Sequence, residues 1–201
     1  MNIKWLVVGL GNPEGKYFDT WHNLGFRCAE VLAEHFSLEF KKKGNQLLAK
    51  ADIVSENGGQ ADTIFVLKPL TYMNRSGEAV VALTRKQKIE AENIIVFVDD
   101  LYIDKGKIRI TPGGSHAGHN GIRSISGLLG TPDYTRIKVG IKPDREPHSL
   151  SNYVLARIPN EERDLINDAI MNAVDAALLL IRGTPLAAVQ AKYNSKNEVA
   201  K

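Results

Sequence analysis

Ile3-Lys4-Trp5-Leu6-Val7-Val8-Gly9-Leu10, followed at once by Gly11-Asn12-Pro13, is the stretch that decides the architecture. A near-continuous apolar run of this length predicts a strand buried on both faces, the environment of a parallel sheet. The Gly-Asn-Pro triplet closes it with a turn. Working outward, 24–36 predicts a helix with the stripe Leu24, Cys28, Val31 and Leu32. Residues 47–55 and 63–67 predict two strands separated by the turn former Glu56-Asn57-Gly58-Gly59. A helix over 76–88 leads into a strand over 94–98 that runs out at Asp99-Asp100. A short strand at 107–110 precedes the glycine-rich stretch 112–121, then a helix over 122–129 and a strand over 136–141. The segment 142–159 carries Pro143, Pro147 and Pro159 and little periodicity. Helical spacing returns over 161–181 through Ile166, Ile170, Ala173, Ala177 and Leu180, with Asn160 placed to cap and Gly183 to terminate. Beyond Thr184 we expect a short helix and a flexible polar tail over about 194–201. Strands alternating with helices predict a single α/β domain over 1–201, with a mixed, largely parallel central sheet flanked by helices. Ligands of such sheets sit beyond the carboxyl ends of the strands, which singles out Asn12 and Asp99.

The composition agrees. With 201 residues, 43% hydrophobic and 24% charged, the chain is neither disordered nor fibrous. At this length folding buries roughly 70% of the unfolded surface, so no disulfide or structural metal is needed. The longest apolar run, 176–181, is far too short to span a bilayer, and the amino terminus shows no signal-peptide pattern, so a cytoplasmic protein is expected. A net charge of +3 permits an anionic partner without demanding one. Basic residues gather at Lys41-Lys42-Lys43, at Arg85-Lys86-Gln87-Lys88, and at Lys105, Lys107 and Arg109. Each cluster by itself reads as a solvated face. The single cysteine, Cys28, excludes an internal disulfide and a Cys-based zinc site, and its place on a helical stripe reads as a buried thiol.

Two familiar nucleotide motifs fail. Gly9-Leu10-Gly11 follows a strand, but the third glycine of a dinucleotide fingerprint falls at Gly15 instead of position 14, and Pro13 removes an amide. No P-loop is present. His22-Asn23 reads either as a helix start capped by Asn23 or as a general base whose acidic partner is Asp99 or Asp100. Asn12, Asn74 and Asn120 each fit turns or helix starts when taken singly. His116 and His119 lie three apart in a loop, without an HExxH arrangement or a carboxylate of their own, so no metal site and no cofactor are expected.

Together these pieces are not independent. Val7-Val8-Gly9-Leu10-Gly11-Asn12-Pro13, Tyr17 with His22-Asn23-Leu24-Gly25, Lys68-Pro69-Leu70-Thr71-Tyr72-Met73-Asn74-Arg75-Ser76-Gly77, Val98-Asp99-Asp100-Leu101, and Gly113-Gly114-Ser115-His116-Ala117-Gly118-His119-Asn120-Gly121 resemble the bacterial peptidyl-tRNA hydrolase family in order and spacing. The resemblance implies that His22 is the catalytic histidine, that Asp99 orients it, and that Asn12 favours peptide-bearing tRNA over free aminoacyl-tRNA. It implies that Tyr17, Tyr72, Met73, Asn74 and Asn120 line the site for the tRNA end and peptide. The expected reaction is metal-free attack of a His22-activated water on the ester between peptide and terminal ribose. Asn12 or Asn74 would donate to the oxyanion. Arg109, Arg123, Arg136 and Lys138 would touch acceptor-stem phosphates. The segment 142–153 would be a mobile flap, and the protein a monomer with peptidyl-tRNA as partner, no membrane contact and no obligate protein partner. The chain departs from the family pattern at Trp21, Tyr102 and Thr111, none of which is His22, Asp99 or an asparagine of the site. A non-catalytic RNA-binding relative of the same fold is the alternative. It would be free to lose His22 or Asp99, and both are present.

Overall fold

In the computed structural model, which describes residues 2–53 and 61–194, the opening run forms β1 (Lys4–Gly9) at the centre of a seven-stranded sheet. On one side of β1 lie β4 (Asp62–Pro69), β3 (Gln46–Ile53) and the two-residue β2 (Lys41–Lys42). On the other lie β5 (Ile94–Asp100), β7 (Thr135–Gly140) and, at the edge, β6 (Ile108–Thr111). The four central strands β4, β1, β5 and β7 are mutually parallel, with Val8 registered between Leu67 and Val96. Both edges are antiparallel: β2 and β3 on one side, β6 on the other. The fold is thus the expected mixed α/β sheet with a parallel core.

Alternation along the buried strands sends side chains to two cores. Val7, Ile95, Phe97, Ile137 and Val139 face the first, under α1 (Leu24–His35), α5 (Arg163–Ile181) and α6 (Leu186–Asn194). Leu6, Val8, Ile94, Val96 and Val98 face the second, under α2 (Ser76–Gln87) and α3 (Asn120–Leu129). Cys28 belongs to the first core, and burial pushes its thiol up to about 12, which leaves it without thiolate character. β1 and α1 meet at their glycines: a Cβ at Gly25 would lie 2.5 Å from the backbone of Leu10 and Phe97, and one at Gly9 would lie 2.2 Å from the Gly25 carbonyl. This approach fixes where the chain after β1 and the residues just before α1 stand relative to each other.

Several local expectations are corrected. The helix expected from residue 161 opens as a 3₁₀ turn, Asn160–Glu162, and α5 begins only at Arg163. Asn160 makes no capping bond: it opens the 3₁₀ turn, two residues before the N-cap position of α5 at Glu162. The segment 142–159 contains a helix, α4 (Leu150–Val154), capped by Ser149 Oγ accepting from the Asn152 amide at 3.3 Å. Five residues are too few to show a 3.6-residue period. The expected turn 56–59, the last residues of the strand expected over 47–55, and the tail beyond 194 lie outside the described residues. Among those described, no helix is long and apolar enough to cross a membrane.

Candidate active site

The carboxyl ends of β1, β4 and β5 open onto a cavity of about 600 Å³. Asp99, the penultimate residue of β5, is 4% exposed and is the one acid of this chain buried to that degree among the described residues. Both of its oxygens lie 3.0 Å from His22 Nδ1, and Oδ1 also lies 3.2 Å from His119 Nε2. The two imidazoles sit 4.8 Å apart, centroid to centroid, tilted by 48°. Each ring's tautomer follows from its other contacts. His119 caps α3, its Nδ1 accepting the amides of Gly121 at 3.1 Å and Ile122 at 3.4 Å, so its proton is on Nε2 and is donated to Asp99. His22 donates Nδ1–H to the same carboxylate, so in the neutral ring the lone pair lies on Nε2.

The electrostatics follow from this arrangement. Burial works against the charged His22 imidazole, but the charge and hydrogen bonds of Asp99 outweigh it and hold His22 above the ordinary 6.5. Burial likewise works against the Asp99 carboxylate, yet His22 and His119 hold it well below the usual carboxylate range.

Asn12 is set by a reciprocal clamp. Its amide donates to Asn23 Oδ1 at 2.9 Å, and its carbonyl accepts from Asn23 Nδ2 at 3.0 Å. Asn23 thus holds the turn after β1 instead of capping α1 with its side chain. Asn12 Oδ1 accepts the Met73 amide at 3.1 Å, which fixes the flip of the carboxamide and leaves Nδ2 as the donor it brings to the cavity. Tyr72, just before Met73, holds φ 58° and ψ 160°, a conformation that costs a non-glycine residue about 1–3 kcal/mol. Its hydroxyl donates to Glu14 Oε1 at 2.5 Å, tying the two walls of the opening together.

Of the residues singled out in the sequence, Asn12, His22, Tyr72, Met73, Asn74, Asp99 and Asn120 line one cavity, together with Arg136 and Lys138. Tyr17 is not among its lining residues; it stands on the 3₁₀ turn Gly15–Tyr17, under the ammonium of Lys16, which pairs with Glu14. Arg136 differs from the open phosphate contact expected of it. It is 1% exposed and donates to the carbonyls of Ser115 at 2.8 Å and Pro132 at 3.2 Å, so its guanidinium supports the glycine-rich loop from below. Lys138 pairs with Asp100 at 2.9 Å, Arg123 donates to Asn120 Oδ1 at 2.7 Å, and Arg109 is exposed on the edge strand β6. His119 and Asn23 are the functional residues that sequence reasoning missed. The signal for His119 was its place directly before a helix start; it was weighed only with His116, whose Nδ1 instead accepts the Gly118 amide within the loop. His22, Asp99 and His119 are the one His and acid group among the described residues with ligand atoms near enough, within 4.8 Å, to share a metal ion. Their 3.0–3.2 Å spacings are those of N–H···O hydrogen bonds.

A histidine polarised by a buried aspartate, beside oriented amide donors at the carboxyl ends of parallel strands, defines an α/β enzyme of hydrolytic type. Comparison with known proteins gives the particular family. The peptidyl-tRNA hydrolase family model matches residues 6–201. The peptidyl-tRNA hydrolase of Bifidobacterium adolescentis is 40% identical over 197 residues, 96% of this chain and 98% of that one. That of Halalkalibacterium halodurans is 41% identical over 173 residues, 86% of this chain and 90% of that one. The crystal structure of peptidyl-tRNA hydrolase from Acinetobacter baumannii superposes with a TM-score of 0.84 at 33% identity, covering 98% of this chain and 96% of that one. The chain belongs to the peptidyl-tRNA hydrolase family.

Proposed function

We propose that the protein hydrolyses the ester linking a peptide to the terminal ribose of tRNA, with His22 as general base. The observation that carries this reading is the contact of His22 Nδ1 with both oxygens of Asp99 at 3.0 Å, which places the lone pair of the neutral imidazole on Nε2. His22 Nε2 takes a proton from water as the water attacks the ester carbonyl, and Asp99 stabilises the imidazolium that forms. The tetrahedral oxyanion accepts from a side-chain amide, for which Asn12 Nδ2 is already oriented by the Met73 amide, with Asn74, also lining the cavity, as the second donor. The proton then passes to the ribose oxygen as the C–O bond breaks. Carboxamides read peptide C=O and N–H groups without reading side chains, which suits a substrate of any peptide sequence. Arg109, Arg123 and Lys138 supply phosphate contacts to the acceptor stem, and Arg136 adds positive charge beneath the cavity. Location in the cytoplasm, where translation takes place, accords with this role.

Purified protein is assayed on an N-blocked aminoacyl-tRNA in the presence of chelator, beside the unblocked aminoacyl-tRNA and the His22→Ala variant. Cleavage confined to the blocked substrate, with a loss of about 10²–10⁴-fold in the variant, is the expected outcome. Tight tRNA binding without cleavage overturns the reading in favour of an RNA-binding protein.

A further inference from the structure

Two of the basic runs in the sequence, 41–43 and 85–88, are not used by the active site, and the fold brings them together. They converge on a groove of about 810 Å³ between the β2–β3 hairpin and the last turn of α2. Its floor is apolar, from Leu48, Phe65 and Leu83, and its rim carries Lys41, Lys43, Lys50 and Lys86. Glu39 is the acid that lines it, and Lys50 is shared with Asp52 at 3.5 Å. Among the described residues Lys41, Lys43 and Lys86 make no ion pair, and all three side chains are exposed. Ammonium groups crowded without counter-charges repel one another, and an anionic ligand relieves the repulsion.

The spacing of this groove from the chemistry is also fixed. α2 begins beside Met73 and Asn74 at the catalytic cavity and ends at Lys86 and Gln87 in the groove. Its 12 residues span about 18 Å at 1.5 Å per residue, so one rigid rod separates the two sites. We propose that this lysine groove is a second contact for the phosphodiester backbone of the substrate tRNA, outside the segment that enters the cavity. The proposal rests on the peptidyl-tRNA reading of the active site. Lysines at exposed positions provide sequence-independent contacts with released counter-ions, which a hydrolase acting on every tRNA requires. The apolar floor accommodates the ribose edge of a backbone laid across it.

The test uses the triple variant Lys41→Gln, Lys43→Gln, Lys86→Gln, with the corresponding triple arginine variant to restore charge. Binding of deacylated tRNA is followed by fluorescence anisotropy over a salt series. Hydrolysis is followed on full-length N-blocked aminoacyl-tRNA and on an N-blocked aminoacyl ester of the CCA trinucleotide. The glutamine variant is expected to bind tRNA about tenfold or more weakly at low salt, with the slope of log Kd against log salt reduced by about 2–3. Its KM for full-length substrate rises, its turnover of the trinucleotide ester is unchanged, and the arginine variant regains wild-type affinity. Unchanged tRNA affinity and salt slope overturn the proposal and assign the lysines to another anionic partner. Parallel loss on both substrates also overturns it, since the lysines would then act through the fold. If the wild type cleaves neither ester, it is the hydrolase reading that fails, while the anisotropy series still decides the groove.

Discussion

At the scale of single residues, the site is governed by which nitrogen of each histidine carries the proton. His119 is fixed by two backbone amides of α3, and it spends its one remaining proton on Asp99. Asp99 therefore faces His22 already oriented, without freedom to rotate away. On the proposed mechanism His22 acts only when unprotonated and Asp99 raises its pKa, so activity is expected to fall on the acid side below a midpoint higher than that of an ordinary histidine. In Asp99→Asn the raising charge is gone, so the acid limb of kcat should move to lower pH while the plateau drops by about 10²-fold, as read from a kcat–pH profile. An unmoved limb would show that His22 is not the titrating base. A second exchange separates the two roles of Asn12. Asn12→Asp keeps an oxygen for the Met73 amide but removes the Nδ2 donor, so kcat should fall by about 10²–10³-fold with KM little changed. Retained kcat would move the oxyanion role to Asn74.

At the scale of elements, the sequence exposed what was periodic and hid what was short or set by distant partners. The buried parallel strands β1 and β5 and the stripes of α1 and α5 were legible because their apolar spacing is imposed by a core on either side. β2 was not, since two exposed lysines paired to Leu47 and Leu48 carry no alternation. Through the resemblance the sequence pointed to His22, Asp99 and the asparagines, which the fold brings to one cavity. His119 was not legible, because its partner Asp99 lies 20 positions away and only the folded chain shows that it caps α3. The role of Asn23 was hidden for the same reason: the same residue at a helix start can cap that helix or, as here, clamp a neighbouring turn. Element packing gives two further predictions. Gly25→Ala places a Cβ against backbone that cannot yield, and should cost about 1–3 kcal/mol, lowering Tm by roughly 2–12 °C in calorimetry. In the segment ahead of α4, no amide from Asp144 to Ser149 donates a hydrogen bond among the described residues, whereas Tyr153 stacks on Trp21 at 5.8 Å and donates its hydroxyl to the Ile141 carbonyl at 2.9 Å. Hydrogen exchange should be fast over 144–149 and markedly slower at Tyr153; uniform protection across 142–153 would contradict a flap.

At the scale of the whole molecule, the parallel core decides how the site comes into being. His22 and Asp99 are 77 positions apart in the chain, and Asn12 and Met73 are 61 apart. Each of these contacts closes across a crossover of the sheet, so none can form within a local hairpin or a single helix–turn unit. An incompletely assembled chain thus holds every residue of the proposed site but not the site itself. Refolding from denaturant should show helical circular dichroism recovering before esterase activity, with the activity following the slowest phase of tertiary fluorescence; simultaneous recovery would mean that the parallel pairings form as early as the helices. The reciprocal Asn12–Asn23 clamp takes on a second meaning in this light. It joins the end of β1 to the start of α1 through two residues only 11 positions apart in the chain. Asn12 and His22 of the candidate site are thereby set within one local unit, and the site closes only when β5 and the turn after β4 bring up Asp99 and Met73.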